Sequence, residues 1–527
     1  MKFTASLVVL MFFLAAFPTS ESAKILGLFT AFCKSHLFLH MPVIHTLVER
    51  GHEVTVVTIL PLDDPNPKYR HILLDVPKRP KGFISNIIDG SKGPLSMIRT
   101  IKKAADITMM QTNATLHEPQ MKKLMAEESF DLVIFGYFFN SFQLGVAAHF
   151  KCPVVISFIH SPMRILNNII GNPIESLYVP HMSMGLVQPL GFFDRVQNVL
   201  ANLVDLALFS LIEFNMEKYY KFNFPAEKYP SYQDMLRNVS LVLTCHHFTD
   251  GPIRPNVPAV VEMGGIQVKA KPEVLPADIK EFLDGAAKNG ALYFSLGTNA
   301  RSTDMNSDTI KTIYDVLSEL KQRVIWKWEE NTPPGNASNI LFKKWLPQDD
   351  ILAHPNIKLF ITHGGHGSVV ESEYHGVPMV GIPLFGDQFS NMDGVQKAGY
   401  GLSLREDEIT AGKFKSMVEE VLHNPTYRNK VQKFSRVSRD RPMSPRDTAA
   451  FWIEYIIRHR GAKHMQSPAV HMNFIQLYGL DVFGFLFAIL YGIFKAIVLI
   501  FRKVVYSLFG RSCKNQNKDN SEQKKKQ

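Results

Sequence analysis

Cysteine is scarce in this chain: its 527 residues include four, Cys33, Cys152, Cys245 and Cys513. Cys513 falls in a basic tail, and the three that remain are odd in number and widely spread, which excludes a disulfide framework and a thiolate zinc site. A basic surface is lacking as well. The formal net charge is +10, but residues 502–527 hold eight Lys or Arg against Asp519 and Glu522. Setting that net +6 aside leaves about +4 for everything else, so no nucleic-acid footprint is implied. Long uncharged apolar runs are missing from the middle of the chain. The nearest approach, residues 192–222, is broken by Asp194, Asp205 and Glu213. Those charges rule out an ordinary membrane span, and packing in a core is preferred over a membrane-leaning or substrate-lining helix.

What is present begins at the two ends. Lys2, an apolar run from Leu7 to Phe17, and the small residues Ser20 and Ser22 form a secretory signal peptide over 1–22, so the mature chain is expected to start near Ala23. Val482 to Phe501 is mostly apolar and, at about 20 residues, long enough for a bilayer. Its one charge, Lys495, can snorkel to the interface. Arg502, Lys503, Arg511 and Lys514 follow at once. Positive charge beside a span stays cytosolic, so 482–501 is read as a transmembrane helix and 502–527 as a cytosolic tail. The last residues, Lys524-Lys525-Lys526-Gln527, resemble a dilysine retrieval signal. The expected location is the endoplasmic reticulum membrane, single-pass type I, with the folded part lumenal. Asn113, Asn238 and Asn336 begin glycosylation sequons in that part.

Between the ends, apolar strand-like runs alternate with helical patterns. "KILGLFT" (24–30), "HEVTVVTIL" (52–60), "DLVIFGYF" (131–138), "PVVISFI" (153–159) and "VSLVLTC" (239–245) precede a linker rich in glycine, proline and charge at 264–290. "ALYFSLGT" (291–298), "RVIWKW" (323–328), "IKLFITHGG" (357–365) and "PMVGIPLF" (378–385) follow it. Strands so continuously apolar belong to parallel sheets covered by helices on both faces. The count implies an α/β fold of two doubly wound domains, 23–263 and 291–465, with a cleft between them.

Residues 360–388, "FITHGGHGSVVESEYHGVPMVGIPLFGDQ", gather polar groups at the ends of two of those runs. Ligands of open α/β sheets bind there, glycines let a backbone approach them, and a helix amino terminus suits phosphate. The stretch therefore predicts a ligand carrying phosphate and hydroxyls. The alternative keeps Ser368 and Glu371 as a capping box and Asp387 as a turn residue.

"WLPQDDILAHP" (345–355) running into that stretch, together with "DTAAFWIEYIIRHRGA" (447–462), the signal peptide, the span and the basic tail, resembles the UDP-glycosyltransferases, the family that includes the animal UDP-glucuronosyltransferases, and its insect-type members most closely. The resemblance implies a GT-B fold, two Rossmann-like domains facing a cleft, with a UDP-sugar as co-substrate, no other cofactor and no metal. It also implies inverting transfer of a hexosyl group, from UDP-glucose or UDP-glucuronate, to hydroxyls of small lipophilic acceptors. Carried over by position, Trp345 would stack on the uracil and Gln348 would bond near the base and ribose. His363, Ser368 and the backbone at Gly365 and Gly367 would hold the diphosphate, and Glu371 would accept from the ribose hydroxyls. Asp387 and Gln388 would grip the sugar, with Ser295, Gly297 and Thr298 lining the phosphate side. His36 in "KSHLFLHMPV" stands where the family has its general base, a role that suits a group titrating near neutral pH. Its neighbours His40 and His45 are read as helix-surface residues. The oligomeric state stays open, a homo-oligomer included.

One departure concerns that base. In the family a carboxylate after the third strand of this domain orients the histidine, at one or both of the positions that here are Gly136 and Ser141. Neither is acidic. Asp131 opens the strand, about 17 Å from the catalytic edge at the usual rise per residue. Three outcomes remain open: Ser141 or Asn140 orients His36, His160 or another loop assists, or turnover is poor. The last would make the chain a UDP-sugar or lipophile-binding protein. A second departure is the helix start His366-Gly367.

Overall fold

The computed structural model describes residues 22–62, 67–77, 96–182, 184–298 and 301–523. The signal peptide, apart from Ser22, and the lysines at 524–526 lie outside them. The chain up to Ser467 forms one compact unit and Pro468 onward a second.

The first unit holds two parallel sheets. One contains β1 (Lys24–Phe29), β2 (Glu53–Thr58), β3 (Arg70–Leu73), β4 (Leu132–Gly136), β5 (Val154–Phe158), β6 (Val239–Thr244) and β7 (Val260–Glu262), in the order β3-β2-β1-β4-β5-β6-β7. The other contains β8 (Ala291–Ser295), β9 (Arg323–Lys327), β10 (Ile340–Lys343), β11 (Ile357–Thr362), β12 (Met379–Gly381) and β13 (Gly401–Ser403), in the order β10-β9-β8-β11-β12-β13. In each, the order reverses once, between β1 and β4 and between β8 and β11. Connections leave such a switch point in opposite directions and open a crevice at the carboxyl ends, so the loops after these four strands are the expected site.

Every apolar run read from the sequence contains a strand. The four strands not foreseen, β3, β7, β10 and β13, are the outer strands of their sheets. Each has three or four residues, and an edge needs no long apolar run because one side has no neighbour to pair with.

The helices that bear on the site are α1 (Lys34–Glu49), α2 (Ser96–His117), α3 (Phe192–Asn223), α4 (Ala277–Asp284), α5 (Gln348–Leu352), α6 (His366–His375), α7 (Gln388–Ala398) and α8 (Pro445–Arg458). Several sequence readings are corrected by how they pack. The linker at 264–290 contains α4, whose Ile279 and Leu283 sit in the core of the second sheet, while Ile266 belongs to the core of the first. The segment up to 465 was expected in the second domain, yet Ala449, Ala450, Ile453 and Ile456 of α8 are in the first core. Arg50 fastens α8 to the end of α1 through Asp447 at 2.9 Å and Glu454 at 3.2 Å. Core packing describes only one side of α3, where Leu208, Phe209, Ile212, Met216 and Tyr220 are buried. His40 is no helix-surface residue: it is 2% exposed, its Nδ1 meets Ser157 Oγ at 2.8 Å, and its ring stacks on Phe29 at 4.9 Å. His45 is half-buried against Tyr69. Of the sequon asparagines, Asn238 and Asn336 are exposed, whereas Asn113 is half-buried within α2 and its Oδ1 accepts from Asn223.

The second unit is dominated by α9 (Leu480–Gln523), of which Leu480–Leu508 is long and apolar enough to cross a membrane. The helix runs past Phe501 into the basic tail because no proline interrupts it.

Candidate active site

The second sheet supplies one half of the site. Ser295 ends β8 buried, and its Oγ accepts the N–H of Gly297 at 3.3 Å, with Thr298 following half-buried. Gly297 has φ +82°, and a Cβ there would lie 2.6 Å from Cε1 of His363; a Cβ on Gly365 would lie 2.4 Å from its Nε2. Two backbones clasp the imidazole, which explains glycine at both positions. Burial, aided by Lys327 and opposed by Asp387, holds the His363 pKa down to about 4. The ring is therefore neutral and carries one N–H to donate. Its Nδ1 is buried with no hydrogen-bond partner among the described residues.

The capping-box alternative for α6 fails. Gly365 is the N-cap and no side chain caps the helix. Ser368 and Glu371 instead share Gln348, whose Nε2 donates to Ser368 Oγ at 3.0 Å and to Glu371 Oε2 at 2.8 Å. The Tyr293 hydroxyl donates to Gln348 Oε1 at 3.2 Å, a member that the sequence did not single out. Burial first, then Asp349, pushes Glu371 up to about 8. The one donor Gln348 does not offset that burial, and hydroxyls bonded to the anion would bring the value down further. Trp345 is 54% exposed, its ring 5.7 Å from that of Phe38 on α1, with Lys34 Nζ 5.3 Å from its centre. The backbone at Gly367 is open, since an added Cβ would meet only Gln267 Nε2, at 3.9 Å.

Asp387 opens α7 without capping it, and its Oδ2 accepts from Asn391 Nδ2 at 2.7 Å. Asn391 also reaches the Gly364 carbonyl at 3.0 Å, tying Asp387 to the turn after β11. Its place one helical turn after Asp387 was the available signal. Gln388 is buried, and its Oε1 accepts the N–H groups of Leu384 at 2.8 Å and Phe385 at 3.1 Å. That carbonyl holds the loop together.

The first sheet supplies the other half. His36 lies in the first turn of α1, buried edge-on against Phe138 at 4.6 Å, and Phe32, Cys33, Phe138 and Phe385 pack together beside it. Its Nδ1 has no hydrogen-bond partner among the described residues. Burial, then the charges of His160 and His40, keep its pKa well below the ordinary value. His160, after β5, is itself lowered to about 4 by burial and by His366, against the pull of Asp387. Its ring lies 5.4 Å from that of His366, whose Nε2 meets the Cys245 carbonyl at 2.7 Å. The unusual helix start thus links the two halves.

The departure at the third strand resolves in part. Ser141 Oγ is engaged by Tyr232 Oη at 2.8 Å and Met216 Sδ at 2.7 Å. Asn140 accepts from the Phe138 N–H and donates to the Gly136 carbonyl and Gln143 Oε1. Neither orients His36. Asp131 accepts the Lys24 N–H at 2.8 Å, at the far edge of the sheet. His160 bears on His36 only through charge, which lowers the His36 pKa.

Acid should affect the two halves oppositely. His40, lowered to about 3 by burial, and His160, at about 4, stay neutral in the fold while an unfolded chain protonates them near 6.5. Their contribution to stability therefore falls as pH drops from 6.5 towards 4, by roughly 4 kcal/mol together at pH 5. Glu371 and Glu373, both raised to about 8 chiefly by burial, take up protons in the fold first, so stability around them rises as pH falls from 8 towards 4.5 and outweighs the loss at His363. Hydrogen exchange at pH 5 against pH 7.5, corrected for intrinsic rates, should show protection falling in β4 and β5 while it holds or rises in β11. Equal changes in both sheets would contradict these assignments.

Comparison with known proteins agrees with this geometry. The family model "UDP-glucoronosyl and UDP-glucosyl transferase" matches residues 75–515. The chain is 33% identical over 492 residues to UDP-glycosyltransferase UGT5 of Dactylopius coccus, covering 92% of each. It is 32% identical to UDP-glucuronosyltransferase 2B33 of Macaca mulatta, covering 86% of this chain and 88% of that one. Among solved structures, a UDP-glucosyltransferase from Polygonum tinctorium aligns with a TM-score of 0.56 at 16% identity, over 83% of this chain and 98% of that chain. The calicheamicin glycosyltransferase CalG4 aligns at 0.53 and 16%, over 83% and 99%. These two show the shared GT-B fold. Matches of this extent place the chain in the UDP-glucuronosyl and UDP-glucosyl transferase family, as a glycosyltransferase that draws on a UDP-sugar.

Proposed function

We propose that the enzyme transfers glucose or glucuronate from its UDP-sugar to a hydroxyl of a small lipophilic acceptor, with inversion and with His36 as general base. The observation that carries this reading is His36, buried in an aromatic recess after β1 at the switch point of the first sheet. As the acceptor oxygen bonds to the anomeric carbon, the bond from that carbon to the diphosphate oxygen breaks and its electron pair leaves with UDP. The acceptor proton passes to the neutral imidazole, at Nε2 because Nδ1 is enclosed. The amide groups at the start of α6 and the His363 N–H suit the charge that grows on the diphosphate. Rings such as Phe32 and Phe138 favour a lipophilic acceptor. Relatives named for glucosyl and for glucuronosyl transfer both match, and the insect-type resemblance favours glucose.

The span is proposed to cross the endoplasmic reticulum membrane once, with the folded part lumenal and the tail cytosolic. The exposure of Asn238 and Asn336 supports this side, and an endoglycosidase-sensitive mass would test it.

A second reading, a UDP-sugar or lipophile-binding protein with little turnover, is favoured by one observation: no carboxylate among the described residues hydrogen-bonds to His36. Microsomes carrying the chain, given UDP-glucose or UDP-glucuronate and a panel of phenols, separate the two. Acceptor-dependent UDP release supports transfer, and nucleotide binding without release supports the second reading.

For the nucleotide, Glu371→Ala should weaken UDP binding about 10- to 100-fold, the worth of hydrogen bonds to a charged group. It should do so without lowering thermal stability, because Glu371 caps no helix and burial strains its charge. Trp345→Ala should weaken binding by a comparable factor through the lost stacking face. Titration calorimetry showing unchanged affinity in both variants would rule out this site.

A further inference from the structure

His366, where this chain departs from the family pattern, reaches from the second sheet to the first. It is the first residue of α6, half-buried, and its Nε2 lies 2.7 Å from the Cys245 carbonyl just beyond β6. A carbonyl can only accept, so that nitrogen carries the hydrogen. Cys245 is itself fixed: its N–H donates to the Phe158 carbonyl at 2.8 Å, and the hydroxyl of its neighbour Thr244 donates to the His160 carbonyl. The partner of His366 is therefore part of the platform that also carries His160, whose charge bears on His36. The carbonyl of the next residue of α6, Gly367, accepts from Gln267 Nε2 at 3.2 Å.

Transfer needs the acceptor oxygen within about 3–3.5 Å of the anomeric carbon. That carbon hangs from the diphosphate, which the proposed function places at the amino end of α6, while the base sits on the first sheet. The gap between the start of α6 and the end of β6 thus enters the reacting distance directly. We propose that His366 is a positioning residue for transfer, its bond to the Cys245 carbonyl setting the separation of donor and base across the cleft. The proposal rests on the roles read for α6 and His36. It is distinct from a part in nucleotide binding, because the backbone amides of α6 do not need the imidazole. A side chain that served stability alone would tolerate any replacement that keeps the fold, whereas one that sets a distance needs a donor of the right reach.

The test compares the full chain in detergent with His366→Ala, His366→Gln and His366→Asn. Gln places an amide N–H near the position of Nε2, and Asn falls short of it. His366→Ala should lower kcat about 10- to 100-fold, the cost of a misplacement of order 1 Å, with UDP affinity within about twofold of the wild type. His366→Gln should recover most of that loss and His366→Asn little. A second readout needs no turnover. Cys33, Cys152 and Cys245 are buried, so in a Cys513→Ser background spin labels on cysteines replacing the exposed Lys123, in the first domain, and Lys288, in the second, report the distance between the domains with UDP present. His366→Ala should lengthen or broaden that distance, and His366→Gln should restore it. An unchanged distance in His366→Ala would overturn the proposal whatever the rate does, as would an unchanged kcat or a loss that Gln and Asn repair equally. A wild type without acceptor-dependent UDP release, or full activity in His36→Ala, would instead overturn the reading of the site, and the label distances would still decide whether His366 sets the separation.

Discussion

His36→Ala is expected to lower kcat/KM about 10²- to 10⁴-fold, the usual worth of a positioned general base, while UDP affinity stays unchanged. The separation follows from position: His36 lies in the aromatic recess of the first sheet, and the Gln348, Ser368 and Glu371 cluster belongs to the second. A low pKa has two consequences for the wild type. The base is already unprotonated at neutral pH, so the acid limb of the kcat/KM profile should fall well below 6.5. The same burial makes the imidazolium a poor proton store, so activation of the acceptor depends on whatever stabilises that cation during attack. Asp387 is a carboxylate whose charge is felt at His160. Full activity in His36→Ala with every acceptor that reacts would remove His36 from the role.

The alternation of buried strands and helices was legible because a central parallel strand must be apolar on both faces. The outer strands were not, because they need no such run. The half of the candidate site on the second sheet was legible for a related reason: residues 360–388 place its glycines and polar groups in one contiguous stretch, and Ser368 and Glu371 share one helix. Its partners Tyr293 and Gln348 come from other segments, and only the fold brings them together. The half on the first sheet was harder. Ser141 is one of the two expected carboxylate positions and Asn140 stands next to it, but their side chains turn to Tyr232 and to Gln143. His160, more than a hundred residues from His36, is brought by the fold to where its charge lowers the His36 pKa. The return of α8 to the first core also had no sequence signal, since its amphipathic pattern fits either sheet.

Restoring the family's carboxylate looks, from sequence, like a route to a faster enzyme, but here it should instead destabilise the protein. Ser141 is 1% exposed, and its hydroxyl is held between Tyr232 Oη and Met216 Sδ. Ser141→Asp would bury a charge with a single donor at hand, near Glu213, whose own carboxyl burial already pushes up. The expected loss is about 2–4 kcal/mol, since an incompletely paired buried charge costs more than one hydrogen bond returns. Gly136 offers no better place. A Cβ there would lie 2.7 Å from Phe29 Cδ1 and 3.1 Å from His40 Nε2, so Gly136→Asp would push apart the Phe29–His40 stack and place its carboxylate against His40. Both variants should melt roughly 5–15 °C lower and show no gain in kcat. Thermal unfolding of the full chain in detergent, read alongside acceptor-dependent UDP release, measures both. A variant that keeps its melting temperature and turns over faster would show that a carboxylate on this loop reaches His36 after all, and that the engagement of Ser141 by Tyr232 yields at little cost.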